Sequence, residues 1–98
     1  MRVIDHAPHG WFLLEEDGAL FLDVNCSHSA VSYNFVLQLD AQERSAYKDE
    51  GRAFIGRLAT AVQDSGPHLS TSRFHERNMS NAHSDNVTAA IERWRTNA

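Results

Sequence analysis

The sequence has a single cysteine, no long hydrophobic run and little positive charge in its first half. Cys26 has no second cysteine with which to form a disulfide, and a lone thiol is typical of proteins from reducing compartments. No stretch approaches the roughly 18 apolar residues of a membrane span, and residues 1–10 lack the apolar stretch of a signal peptide. The 98 residues leave room for one core. We therefore expect a single cytoplasmic domain with no membrane partner.

The charges are unevenly distributed along the chain. Residues 1–50 carry three basic side chains against nine acidic ones, a net charge of −6, and residues 51–98 carry six arginines against four acidic residues, a net charge of +2. Nucleic-acid-binding domains usually have a basic stripe or a high isoelectric point, so the value near 5.8 argues against such a partner. The clustered arginines are either a solvated face or a contact for an anionic partner: Arg73, Arg77, Arg93 and Arg95.

Residues 11–40 have the pattern of an antiparallel meander. Two apolar-rich runs, 11–16 and 19–25, are separated by Asp17 and Gly18, a pair that is typical of type I′ hairpin turns. Residues 31–40 then alternate apolar and polar side chains, as a strand with one solvated face does. We therefore predict three strands, with residues 1–10 as a leader.

Helical patterns occupy most of the second half. Asp40 and Glu43 have the spacing of a capping box, an apolar stripe runs from Tyr47 to Val62, and Gly66–Pro67 ends the pattern. Together these signals predict one long helix over residues 41–65. Residues 66–84 are polar and are predicted as a loop or edge strand, and residues 85–96 as a short C-terminal helix. The predicted fold is α+β: a three- to four-stranded antiparallel meander packed on one long helix, in the order β-β-β-α-(β)-α.

No catalytic or metal-binding constellation stands out. Cys26 and His28 would share a strand face, but a thiol–imidazole pair also needs an orienting group, and Asp23 would lie on the opposite face of a regular strand. His6 and His9 supply two imidazoles, whereas a zinc site needs three or four ligands. We therefore expect no cofactor and no metal, and these residues remain weak candidates for a site.

The first hairpin carries large apolar side chains on both faces. Phe12, Leu14 and Phe21 share the second face, and burying them is worth about 5–8 kcal/mol. Either the C-terminal helix folds back over this face or a second chain covers it. Because that helix is short and follows a long polar segment, we favour a homodimer or partner interface, with Glu15 and Glu16 as an acidic contact patch.

These patterns favour a protein-binding module over an enzyme. The candidate roles are a homodimeric accessory protein or an acidic, immunity-like inhibitor that masks a basic surface. The alternative is a small-ligand binder or enzyme that uses Cys26, His28 and Asp23 in a pocket beneath residues 66–84.

Overall fold

The computed structural model describes residues 1–7, 10–28, 31–65, 74, 77 and 80–97, and at 27, 28, 31, 32, 80–84 and 97 it describes the backbone alone. Within these residues, four strands form one antiparallel sheet in the order β1-β2-β3-β4, which confirms the α+β prediction. Three α-helices follow the sheet in the described part of the chain. The elements in chain order are β1 (Arg2–Ala7), β2 (Trp11–Glu16), β3 (Ala19–His28), β4 (Val31–Gln38), α1 (Ala41–Glu50), α2 (Arg52–Ser65) and α3 (Ser80–Asn97).

The β2–β3 hairpin has the predicted turn and register. Asp17 and Gly18 both adopt positive φ angles, 52° and 86°, as a type I′ turn requires. Glu16 therefore lies opposite Ala19, and the pairing continues along the hairpin to Trp11 and Val24. This register fixes which hairpin side chains point to each side of the sheet.

The first ten residues, predicted as a leader, contain an edge strand. β1 pairs with β2, but its register shifts between Val3 and Asp5, which is a bulge or irregularity. The shift breaks the alternation of apolar and polar side chains, so the sequence pattern contains no strand signal there. The fourth strand of the described sheet thus lies at the start of the chain.

The predicted long helix is two helices that meet at Gly51. The capping box at Asp40 and Glu43 is present, with the Glu43 N–H donating to Asp40 Oδ1 at 2.8 Å. Gly51 has φ 68° and ψ −147°, a conformation that ends α1, and its N–H donates to the Tyr47 carbonyl. The apolar periodicity continues across this break, which is why the sequence pattern predicts one helix.

The C-terminal helix is longer than predicted. α3 begins at Ser80 rather than at residue 85. The prediction starts too late because the first turn of the helix is polar and carries no apolar periodicity. Of the segment 66–84, only residues 74, 77 and 80–84 are described, so the loop or edge-strand prediction otherwise lies outside the described residues. Phe74 is buried against the core, and Arg77 donates hydrogen bonds to the Glu43 carboxylate and the Gln38 carbonyl.

α2 packs on one side of the sheet and α3 on the other, and both sides of the sheet are apolar. We call the side covered by α2 the α2 face and the side covered by α3 the α3 face. The buried residues of the α2 face and its cover are Trp11, Leu13, Leu22, Val24, Cys26, Phe35, Leu37, Leu39, Ile55, Leu58, Ala59, Val62 and Phe74. Those of the α3 face and its cover are Leu14, Phe21, Val36, Val87, Ala90 and Ile91.

α3 therefore covers the hairpin face for which the sequence favours a second chain. Leu14 is fully buried and Phe21 is 4% exposed beneath the helix. Of the two covers that the sequence leaves open, the chain provides the intramolecular one. An uncovered face is therefore no longer a reason to expect a homodimer, which stays a prediction that needs other support.

Candidate functional site

A cleft with two arms opens between the α3 face of the sheet and the C-terminal half of α3. The wide arm has a volume of about 400 Å³ and the narrow arm about 200 Å³. Both arms are lined by Phe12, Asp23, Asn34 and Arg95, so we treat them as one site, the Asp23 cleft. The wide arm adds residues of β2 and β3, among them Asn25, and the narrow arm adds residues of α3, among them Glu92.

Asp23 forms the base of this cleft. It is 2% exposed and is the one buried polar or charged residue among those described. The side-chain amide of Asn34, on the neighbouring strand, donates to both carboxylate oxygens at 3.1 and 3.2 Å. Burial raises the pKa of Asp23 above its ordinary value, and the Asn34 hydrogen bond opposes that rise.

The Asp23 carboxylate has no cationic partner among the described residues. None of the ion pairs in that part of the chain includes it, and the Asn34 amide is its described hydrogen-bond donor. An ionised carboxylate can accept hydrogen bonds at about four lone-pair sites. A buried charge with one neutral donor is costly, so this group is poised either to hold a proton or to meet a cation.

Arg95 supplies the opposite charge at the rim. Its guanidinium carbon lies 5.8 Å from the ring centroid of Phe12, within the range of a cation–π contact. Arg95 is exposed in the last turn of α3, where the helix dipole favours a positive charge. The cleft therefore has an acidic base and a basic rim, separated by an aromatic ring.

An aromatic cluster holds α3 in place beside the cleft. The His6 ring stacks on Phe12 with 5.8 Å between centroids, and Trp94 packs edge-on against both rings at 4.4 and 5.6 Å. The Arg93 guanidinium also donates to the Met1 carbonyl at 2.8 Å. These contacts tie the end of α3 to β1 and β2, and they fix the orientation of the Phe12 ring that lines the cleft.

Cys26, one of the two weak catalytic candidates, does not lie in this cleft. Cys26 is 1% exposed within the apolar cluster of the α2 face, on the opposite side of the sheet from Asp23. Burial raises the pKa of its thiol, a hydrogen bond with Tyr33 lowers it, and the negative charge of Asp23 raises it. The His28 side chain lies outside the described part of the chain. A thiol with a raised pKa is a poor nucleophile at neutral pH.

The predicted acidic contact patch is paired within the chain. Glu15 accepts a hydrogen bond from the Arg2 guanidinium at 2.9 Å, and Glu16 lies 3.3 Å from the terminal amine of Met1. Of the apolar residues predicted for a partner interface, Leu14 and Phe21 are buried under α3 and Phe12 lines the cleft. Both ion pairs connect the start of the chain to the hairpin. Because each carboxylate has a cationic partner, the negative charge of the predicted patch is partly neutralised.

The weak candidates for a metal site are His6 and His9. His6 lies in the aromatic cluster, and His9 lies outside the described residues. Within the described ranges there is no group of three or more histidine, cysteine or acidic residues that could hold a metal ion.

Sequence reasoning missed most of the cleft residues. It treats Asp23 only as a group that could orient an imidazole, although the hairpin register places it on the same face as Phe12 and Phe21. A charged residue on this largely apolar face of the hairpin is the signal that could have identified Asp23. Asn34 is predicted on a solvated face, and the position of Arg95 depends on how α3 docks, which no local pattern encodes.

No known protein family, curated protein or solved structure matches this chain. None of the described helices is long and apolar enough to cross a membrane.

Proposed function

We propose that this protein binds a small molecule that presents a cationic, hydrogen-bond-donating group to Asp23. The observation that carries the proposal is the buried carboxylate at the base of the cleft, which has one neutral donor and no described cation. An ammonium or guanidinium group would supply both the missing charge and further donors. The proposal concerns binding and involves no catalytic step.

The size and lining of the cleft fit such a ligand. A volume of about 400 Å³ lies near the lower end of the range for small-molecule sites. Phe12 is half-buried and provides an apolar wall next to Asp23, since the two residues are cross-strand partners. Asn34 lines the cleft beside them and fixes the carboxylate by its hydrogen bond.

Matched ligands test the charge requirement. The ¹⁵N-labelled protein is titrated with putrescine and, separately, with 1,4-butanediol, which has the same chain length but no charge. We expect putrescine to shift backbone signals around Asp23, Asn34 and Phe12 in a saturable manner, and butanediol to leave them unchanged. Equal shifts with both ligands, or no saturable shift with putrescine or agmatine, would contradict the proposal.

A matched pair of variants tests the role of Asp23. Asp23→Asn keeps the shape of the side chain but removes its charge, and we expect it to weaken putrescine binding at least about tenfold, as loss of a buried charge pair does. Asp64→Asn removes an exposed charge on α2 and serves as the control. Unchanged affinity in Asp23→Asn, with a folded spectrum, would refute the assignment.

Binding to a protein is a second candidate, and the position of β4 at the edge of the described sheet favours it. β4 is an edge strand of the described sheet, paired with β3 along one side, and edge strands are common sites for pairing with another chain. Light scattering after gel filtration tests a homodimer directly. A mass of twice 11.0 kDa supports it, and a monomer at about 100 µM contradicts it, since pairing between the sheet edges of two chains depends on their concentration.

A further inference from the structure

We infer that the ligand of the Asp23 cleft is bipolar: it carries an anionic group that pairs with Arg95 as well as the cationic group that pairs with Asp23. This inference rests on the proposed function and adds the chemical class of the ligand, a small molecule of the amino-acid type. It is carried by the position and the contacts of Arg95.

Arg95 has no ionic partner within the described part of the chain. Among those residues its guanidinium forms no ion pair and no hydrogen bond, and it lies over the Phe12 ring. Arg93, two residues earlier, donates to the Met1 carbonyl. Arg52, Arg57 and Arg77 each pair with a carboxylate. Arg95 thus differs from most other arginines of the described chain in lining a cleft with its charge unpaired.

The two charges of the cleft do not neutralise each other. No guanidinium nitrogen of Arg95 lies within 4.0 Å of a carboxylate oxygen of Asp23. Yet the two groups adjoin one residue: Arg95 lies over the Phe12 ring, and Asp23 is the cross-strand partner of Phe12. A molecule that lies along this ring can reach both charges at once.

The charged residues that line the two arms favour the wide arm for the anionic group of the ligand. Glu92 lines the narrow arm, where its carboxylate would repel an anion. The wide arm is lined by Arg95 but not by Glu92, and its other lining residues include Gly10 and Asn25. We therefore expect the carboxylate of the ligand at the mouth of the wide arm and its amine at Asp23.

Putrescine and L-ornithine separate this inference from the proposed function. Ornithine is putrescine with one carboxylate added, so the two differ in the group that Arg95 would bind. We expect ornithine to bind about fivefold more tightly than putrescine, the gain of an ion pair at a solvent-exposed rim. Isothermal titration calorimetry in low salt measures both affinities, and added salt should reduce the difference.

Two variants assign the difference to Arg95. In Arg95→Gln we expect ornithine and putrescine to bind with equal affinity. Arg44→Gln removes an exposed arginine whose side chain has no described partner, and it should retain the fivefold preference. Equal affinities in the wild type, or a preference that survives in Arg95→Gln, would overturn the inference and leave the proposed function standing. Failure of both ligands to bind would overturn both.

Discussion

Replacing Ile91 by alanine tests whether α3 covers the sheet. Ile91 lies on α3, is 8% exposed and packs in the cluster that contains Leu14 and Phe21. Truncating it removes three carbons from an apolar site, which costs about 2–4 kcal/mol as lost transfer free energy and residual cavity. The higher helix propensity of alanine offsets about 0.4 kcal/mol of this cost. We expect a net loss of about 2–3 kcal/mol in the free energy of unfolding.

Ile4 provides the matched control, because it undergoes the same chemical change at an exposed position. It lies on β1 and is 36% exposed. Ile4→Ala should therefore cost less than about 1 kcal/mol. Urea unfolding followed by circular dichroism measures both, and with an m value of about 1–1.5 kcal/mol/M the Ile91→Ala midpoint should fall by about 2 M. If Ile91→Ala costs no more than Ile4→Ala, α3 does not pack on the sheet, and the cleft loses one of its walls.

Three further predictions follow from particular residues. Burial raises the pKa of Asp23 in the folded state, so the wild type loses stability as the pH rises from the ordinary aspartate pKa through the raised pKa of the folded state. Asp23→Asn should therefore be more stable than the wild type at neutral pH, and the urea midpoints of the two proteins should converge at acidic pH. Gly51→Ala should cost about 1–3 kcal/mol because residue 51 has a positive φ, whereas Gly56→Ala within α2 has open space for a Cβ and should stabilise the protein by up to about 1 kcal/mol, both by thermal unfolding. The Cys26 thiol should react with a thiol reagent about 100-fold more slowly in the native protein than in urea, since it is buried and its pKa is raised; a native rate within about threefold of the unfolded rate would contradict its placement.

Local chemistry accounts for the parts of the fold that the sequence predicted. The Asp17–Gly18 turn fixes the register of the β2–β3 hairpin by its backbone conformation, and the capping box at Asp40 fixes the start of α1 by hydrogen bonds within four residues. Neither feature depends on the rest of the molecule. Both were therefore predictable from the sequence alone.

The features that the sequence did not predict are the strand β1 and the start and docking of α3, and they depend on contacts far apart in the chain. β1 is an edge strand with a register shift, and it is held by pairing with β2 rather than by its own alternation. α3 begins with a polar turn and docks on β1 and β4, which lie at opposite edges of the sheet. No local period in the sequence reports either arrangement.

The candidate site likewise combines a residue that local register positions with residues that long-range packing positions. The hairpin register placed Asp23 on the face of Phe12 and Phe21, so its burial followed once that face had a cover. Asn34 and Arg95 reach the cleft from β4 and α3. Their approach depends on how those elements pack, which explains why the sequence did not identify them.

The position of α3 in the chain has a consequence for synthesis of the protein on the ribosome. The sheet precedes α3 by more than forty residues of chain, so all four strands emerge from the exit tunnel before the helix that covers their α3 face. During this interval Leu14, Phe21 and Val36 form an apolar surface that faces water or a chaperone. A nascent chain that stalls before α3, or a truncated product that lacks it, would carry this surface permanently and would be prone to aggregation.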